Sequence, residues 1–334
     1  MGKTSFFEYD ELDSTNDEAK RLVKEAVIAS EAKQSTGQAA ASGTEPSPLS
    51  TPPLDELYGS VVTARRQGAG KGRRGRAFFS PGGGSVYASF ILRPPERPAG
   101  QLITAFAAVA VCEAIEKTTP CRPGIKWLND IIVDGKKVCG ILAEAVPHAV
   151  ILGIGVNINL DGNDLPESLR GVVGTLRMDA ETRERFFDAL VESVFRCTEN
   201  TAESPPRVPA ESISPCTENT AESSPRVTQD TTEPAPCVTQ DKTESAPCLT
   251  QDTAEPAPYV TQDTTEPSPL YAAPALMDAY RARSILIGKP VYVLRGDEKA
   301  PATAIGVADD GGLVVRYENG DIATLRAGEV SVRI

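Results

Sequence analysis

The sequence predicts an α+β chain that ends in a small all-β domain, on three observations. Asp134-Gly135 stands between two apolar runs, the strongest short-range signal for a hairpin with a type I′ turn. The continuously apolar run from Ala149 to Asn159 reads as a buried central strand, with Gly153 and Gly155 placed where something approaches its backbone closely. After Gly288, about five short strands separated by Asp310-Gly311-Gly312 and Asn319-Gly320 turns make a small barrel.

Taken in order, Phe6 to Asp13 suits a short edge strand. Ser14-Thr15-Asn16 then opens a helix, with Ser14 or Thr15 as N-cap and Asp17 and Glu18 favourable to the dipole. From about Ala26 to Asp55 the periodicity dissolves into small and polar residues, which predicts an insertion. Two strands follow, Ser60 to Ala64 and Ser85 to Leu92, and Gln101 to Lys117 carries a broad apolar stripe as a core helix. Thr182 to Phe195 is a second amphipathic helix, and Ala275 to Tyr280 is a helix end. Between them, 12 of the chain's 27 prolines fall among acidic repeats of the type TQDTTEPAPCV, so neither helix nor ladder runs through this stretch. The predicted division is 1–196 with its insertion near 26–55, then a disordered insertion 197–270, the closing helix 271–284, and the barrel 285–334.

The net charge of −12 over 334 residues is uneven. Residues 197–270 hold 13 acids and 3 bases, hence −10, which leaves −2 for the rest. The pI therefore describes one segment and says little about nucleic-acid or polyanion binding. The 7 cysteines show no C-x-x-C or metal spacing. With no signal peptide and no apolar run long enough to span a bilayer, the expected setting is the reducing cytoplasm. His148, the single histidine, has no triad partner in view and reads as incidental.

Chemistry concentrates in Gln67 to Arg76, with 4 glycines and 4 cations in ten residues. Such a backbone wraps closely around an anion, and the cations neutralise it. Gly70, Gly72 and Gly75 satisfy G-x-G-x-x-G, but aromatics, a proline and a glycine triplet follow where a Rossmann unit needs a helix. The P-loop pattern is absent too. A mobile basic loop between two strands remains, suited to a phosphate-bearing ligand.

Ser14-Thr15-Asn16, this loop, Lys126-Trp127-Leu128-Asn129-Asp130, Lys137-Val138-Cys139-Gly140-Ile141-Leu142 and Gly153-Ile154-Gly155-Val156-Asn157 together resemble the biotin protein ligases. The resemblance covers roughly 5 to 25 and 57 to 195, five motifs in the family's order, and the terminal strands are similar to its SH3-like cap. It implies a mixed-sheet catalytic domain of the class II synthetase and biotin ligase type with flanking helices. It also implies an activity: biotin and ATP with Mg²⁺ give biotinyl-5′-AMP, and biotin passes to one lysine of the biotin carboxyl carrier protein of acetyl-CoA carboxylase. By the same resemblance Ser14, Thr15, Asn16, Gln67, Lys71, Gly72, Arg73, Lys137 and Gly140 line the biotin side. Arg73, Arg74, Arg76, Asn129, Asp130 and Asn157 face the nucleotide, and Lys137 and Arg73 act on the reaction, with Mg²⁺ held by ATP rather than by a protein cage.

Three departures stand out. Lys71 replaces the family's more frequent arginine, Leu128 replaces the proline of its K-W-P-N-D, and the two insertions are foreign to its usual pattern. No room precedes residue 5 for a DNA-binding helix-turn-helix, so neither DNA nor a membrane is an expected partner, while a transient homodimer fits the resemblance. The alternatives are a lipoate ligase or octanoyltransferase of the same wider fold and, from another class, a nucleic-acid-binding module, which lacks an aromatic platform here.

Overall fold

The computed structural model describes residues 4–36, 52–94, 102–162, 165–199, 273–295, 298–326 and 331–333. The acidic repeats beyond 199 and half of the insertion expected near 26–55, residues 37–51, lie outside these residues.

One mixed sheet carries the first block. Its strands are Phe6–Leu12 (β1), Val61–Gln67 (β2), Ser85–Leu92 (β3), Gly124–Lys126 (β4), Asp130–Val133 (β5), Lys136–Val146 (β6) and Ala149–Asn157 (β7), in the order β1-β2-β3-β7-β6-β5-β4. Among the described strands of this sheet only β1 and β2 pair parallel, and the crossover that joins them contains a helix. That helix, Thr15–Thr36 (α1), extends well past Ala26, where the sequence suggested an insertion. Its early apolar residues, Ala19, Leu22, Val23 and Ala26, pack with Leu57, Val62, Ile91 and Ile151 in one core cluster. Ile28 is already 54% exposed and residues 29–32 are exposed as well, so this part of the helix rests on the helix-forming bias of Ala and Glu rather than on burial.

The other face of the sheet is covered by Leu102–Thr118 (α3) and Ala180–Glu199 (α4), while Leu54–Leu57 (α2) is a single turn before β2. Residues Ile103 to Cys112 of α3 are all buried, as its sequence predicts. Helix α4 overruns the expected boundary at 196: Cys197 and Thr198, read from the sequence as repeat residues, are buried helix. The hairpin expectation holds in detail. Asp134 and Gly135 have φ of 49° and 73°, the two positive values of a type I′ turn, and β5 and β6 flank them.

Ala273–Arg283 (α5) leads to Pro290–Arg295 (β8), Glu298–Val307 (β9), Leu313–Tyr317 (β10), Ile322–Leu325 (β11) and Ser331–Arg333 (β12). These pair antiparallel in the order β11-β10-β9-β8-β12. The sequence called for a small barrel; among the described pairings the sheet does not close, with β11 and β12 at its edges. It joins the first block through Trp127, whose Nε1 donates to the Gly311 carbonyl at 2.9 Å, and Arg281, whose Nε donates to the Val307 carbonyl at 2.8 Å.

Candidate active site

Parallel pairing of β1 with β2 sets Leu12 beside Gln67, so α1 and the glycine loop leave the sheet at one place. Here the Ser14 carbonyl accepts the Glu18 N–H at 3.1 Å, the first bond of α1. The Thr15 N–H is taken by Gln67 Oε1 at 2.9 Å, so a side chain 52 positions away caps the helix where Ser14 or Thr15 was expected to. Gln67 Nε2 in turn donates to Ser80 Oγ at 2.9 Å.

The glycine loop, expected to be mobile, is folded into a short hairpin. The Phe78 N–H reaches the Gly70 carbonyl at 2.8 Å and the Gly72 N–H reaches the Arg76 carbonyl at 2.7 Å. The reversal is made by Arg74 and Gly75, with φ of 59° and 70°. Gly70 has no space for a side chain, since a Cβ there would lie 2.5 Å from the Phe78 carbonyl oxygen.

Behind the loop, β6 and β7 pair Gly140 with Gly155 and Leu142 with Gly153, which leaves a trough in the sheet. Close approach at these glycines was expected; the groups that approach are the chain's own. The ring of Phe78 lies across Gly140 and Gly155, and Asn16 fills the space at Gly153. Ser89 Oγ donates to Asn16 Oδ1 at 2.6 Å, and Asn16 Nδ2 donates to Glu144 Oε2 at 2.8 Å. Ser89 has one proton, so its 2.8 Å contact with Thr15 Oγ1 is supplied by the threonine hydroxyl. Tyr87 stands edge-on to Phe78, and burial pushes its phenol up to about 12, so it remains a donor, here to the Pro81 carbonyl at 3.0 Å.

The cations gather at the other end. Lys137 Nζ pairs with Asp130 Oδ1 at 2.7 Å and sits 5.8 Å above the Phe78 ring centroid. Arg73 Nη1 donates to Asn129 Oδ1 at 2.9 Å, and Asn129 Nδ2 is fixed by the Ile141 carbonyl at 2.9 Å. Burial lowers the Arg73 guanidinium, with Arg74 adding to the effect, although an arginine stays charged. Lys71 Nζ pairs with Asp17 Oδ2 at 2.6 Å.

These groups line one cleft of ≈ 290 Å³. Of the residues expected from the sequence, Ser14, Thr15, Asn16, Gln67, Lys71, Gly72, Arg73, Arg74, Arg76, Asn129, Asp130, Lys137 and Gly140 all line it. Asn157 does not. It is buried, its Nδ2 turned 3.5 Å from the Lys137 carbonyl and its Oδ1 without a hydrogen-bond partner. Sequence reasoning missed Phe78, Tyr87 and Leu294 in the lining, and Ser89 and Glu144 behind it. Only Phe78 left a signal, as an aromatic next to the basic loop. Among the described residues no three His, Cys, Asp or Glu side chains are grouped to hold a metal ion, and no helix is long and apolar enough to cross a membrane.

Residues 54–161 match the biotin/lipoate A/B protein ligase family, and residues 286–333 match the biotin protein ligase C-terminal domain. The bifunctional ligase/repressor BirA of Bacillus subtilis is 42% identical over 129 residues, 36% of this chain and 39% of that protein. The biotin–acetyl-CoA-carboxylase ligase of Paracoccus denitrificans is 35% identical over 157 residues, 42% of this chain and 63% of that protein. The matched part thus spans between 39% and 63% of these relatives' length. Among solved structures, the biotin protein ligase from Aquifex aeolicus in complex with biotin and ATP superposes with a TM-score of 0.60 at 20% identity over 99% of each chain, a likeness of fold. The first match alone would leave biotin and lipoate members together; the second, in its place after it, is to a domain of the biotin protein ligases, so the chain is similar to that family in both parts.

Proposed function

We propose that the chain is an ATP-dependent biotin protein ligase that makes biotinyl-5′-AMP and transfers biotin to a lysine of the carboxyl carrier protein of acetyl-CoA carboxylase. The observation that carries this reading is the division of the cleft. A set of uncharged hydrogen-bonding groups, the buried Ser14, Thr15 and Asn16 with the half-buried Gln67, faces a set of cations at Arg73, Arg74, Arg76 and Lys137. A polar, neutral ring suits the first end. A carboxylate and a phosphate, which repel one another, need the second.

In this reading a biotin carboxylate oxygen attacks the α-phosphorus of ATP, the new O–P bond forms and pyrophosphate leaves with its Mg²⁺. The carrier lysine's neutral amine then attacks the acyl carbon, AMP departs, and the ammonium proton is lost to solvent. Lys137 holds the carboxylate against the phosphate, and Arg73 spans the phosphate from the loop side. Asn129 and Asp130 orient these cations through the 2.9 Å and 2.7 Å contacts described above. The loop over the cleft excludes water from a mixed anhydride that water would hydrolyse. The same reading gives the chain an SH3-like cap at residues 285–334, a cytoplasmic setting, and a transient homodimer.

Pyrophosphate exchange into ATP, run with biotin and with lipoate in parallel, tests the function. Biotin-dependent exchange is expected, with none for lipoate. Exchange with lipoate alone would make the chain a lipoate-activating member of the same wider family.

A further inference from the structure

Lys137 stands at an irregularity of the sheet. Strand β5 pairs Ile131 with Cys139 but Ile132 with Lys137, so β6 carries one extra residue, Val138. A bulge of this kind re-aims the neighbouring side chain and interrupts the ladder. On the other side β7 ends at Asn157, and its pairing with β6 begins only at Cys139. The backbone of Lys137 would therefore lack a strand on that side.

A return segment fills the place. The Lys137 N–H donates to the Val172 carbonyl at 2.9 Å, and the Lys137 carbonyl accepts the Gly174 N–H at 2.8 Å, forming a parallel bridge centred on Val173. This segment is anchored at both ends. The Val173 N–H reaches the Leu169 carbonyl at 3.0 Å, and the Leu176 N–H reaches the Asn157 carbonyl at 3.0 Å. Val172 is 59% exposed, so its side chain does not hold the segment in place. Gly174 is closely fitted: a Cβ there would lie 2.8 Å from Lys136 Cβ and 3.2 Å from Val138 Cγ1, the residues on either side of Lys137.

We propose that Val172–Gly174 is a strap that positions Lys137, and that Gly174 is a positioning residue for the ligase reaction. The proposal rests on the biotin ligase reading for its kinetic consequence and on geometry alone for the strap. Any side chain at position 174 pushes on both neighbours of Lys137 and displaces its ammonium from Asp130 and from the substrate carboxylate.

The test is a double-mutant cycle on the full chain with Gly174→Ala, Lys137→Met and the pair, read as KM for biotin and for ATP in pyrophosphate exchange. Gly174→Ala is expected to raise the biotin KM about tenfold with the ATP KM within about twofold; in the Lys137→Met background the same change should move the biotin KM by less than about twofold. Adding Lys136→Gly to Gly174→Ala removes the clashing Cβ and should recover part of the loss. Equal losses in both backgrounds, or an unchanged biotin KM, would overturn the proposal. Hydrogen exchange at the Lys137 amide gives a readout independent of activity: it must be protected in the wild type and lose protection in Gly174→Ala. An unprotected wild-type amide sinks the strap, whereas a wild type with no biotin-dependent exchange sinks the functional reading and leaves the strap to be judged on the amide.

Discussion

The two ends of the cleft are built on opposite principles. At the inner end the buried Thr15, Asn16 and Ser89 and the half-buried Gln67 form a circuit in which each side-chain polar atom already has a partner from the fold. At the outer end Lys71 and Lys137 are held by carboxylates that are themselves part-exposed. The inner end is set before any ligand arrives, so it contributes shape and polarity at little ordering cost. The outer end holds charge in pairs that an anion must join or replace, so its contribution varies with how well each pair is shielded from water. Lys137 and Lys71 differ in that shielding, at 29% and 47% side-chain exposure.

Lys137→Ala has the largest expected effect. Removing one partner of a shielded charged hydrogen bond costs about 2 to 4 kcal/mol, and the Asp130 carboxylate left behind would repel the biotin carboxylate. Titration calorimetry should show biotin affinity reduced by that amount, with ATP affinity reduced less. A folded variant with unchanged biotin affinity would mean that the outer end does not read the carboxylate through this lysine.

Asn16→Ala addresses the inner end. It takes the acceptor from Ser89 and the donor from Glu144, and it opens the space over Gly153. The unpaired buried groups should lower stability by about 1 to 3 kcal/mol in denaturant melts, with little dependence on salt. An unchanged midpoint would show that the circuit is not what fixes the inner end.

The same contrast separates what was legible in the sequence from what was not. Features written into neighbouring residues came through: the Asp134-Gly135 turn, β3 from Ser85 to Leu92, and α3, whose apolar residues announce burial. The charged end of the site was also readable, because glycines and cations crowd into one stretch. The inner circuit was only half readable, because Ser89 and Glu144 reach Asn16 across sequence separations of 73 and 128 positions that no local pattern encodes. Asn157 was overread. It follows Gly153 and Gly155 at the two-residue period of the cleft face, but at the strand's end its side chain turns onto the Lys137 carbonyl. Helix lengths were underread for a physical reason as well. Residues 28–32 of α1 are exposed, and Cys197 resembles a repeat residue while sitting in a helical register that buries it.

Lys71→Met is the smallest expected change and the sharpest test of the contrast. Its ammonium holds both oxygens of Asp17, at 2.6 and 2.8 Å, and so ties the glycine loop to the first turn of α1. Both partners are well exposed, at 47% and 40%, so the pair should contribute only about 0.2 to 1 kcal/mol. Burial by itself would raise the Asp17 carboxyl, but hydrogen bonds from Lys71 and Lys20 outweigh it and hold the pKa below the ordinary 3.8. A depressed carboxyl stabilises the folded chain above its unfolded pKa, and the contribution is lost as pH falls through the lower, folded value. The melting difference between wild type and Lys71→Met should thus be present at neutral pH, vanish in acid once Asp17 is protonated, and shrink at about 0.5 M salt, where charges are screened within a few ångströms. A difference as large as that of Asn16→Ala, or one that survives both acid and salt, would mean that Lys71 holds the loop by packing its aliphatic stem, and that the outer end of the cleft is as firmly built as the inner one.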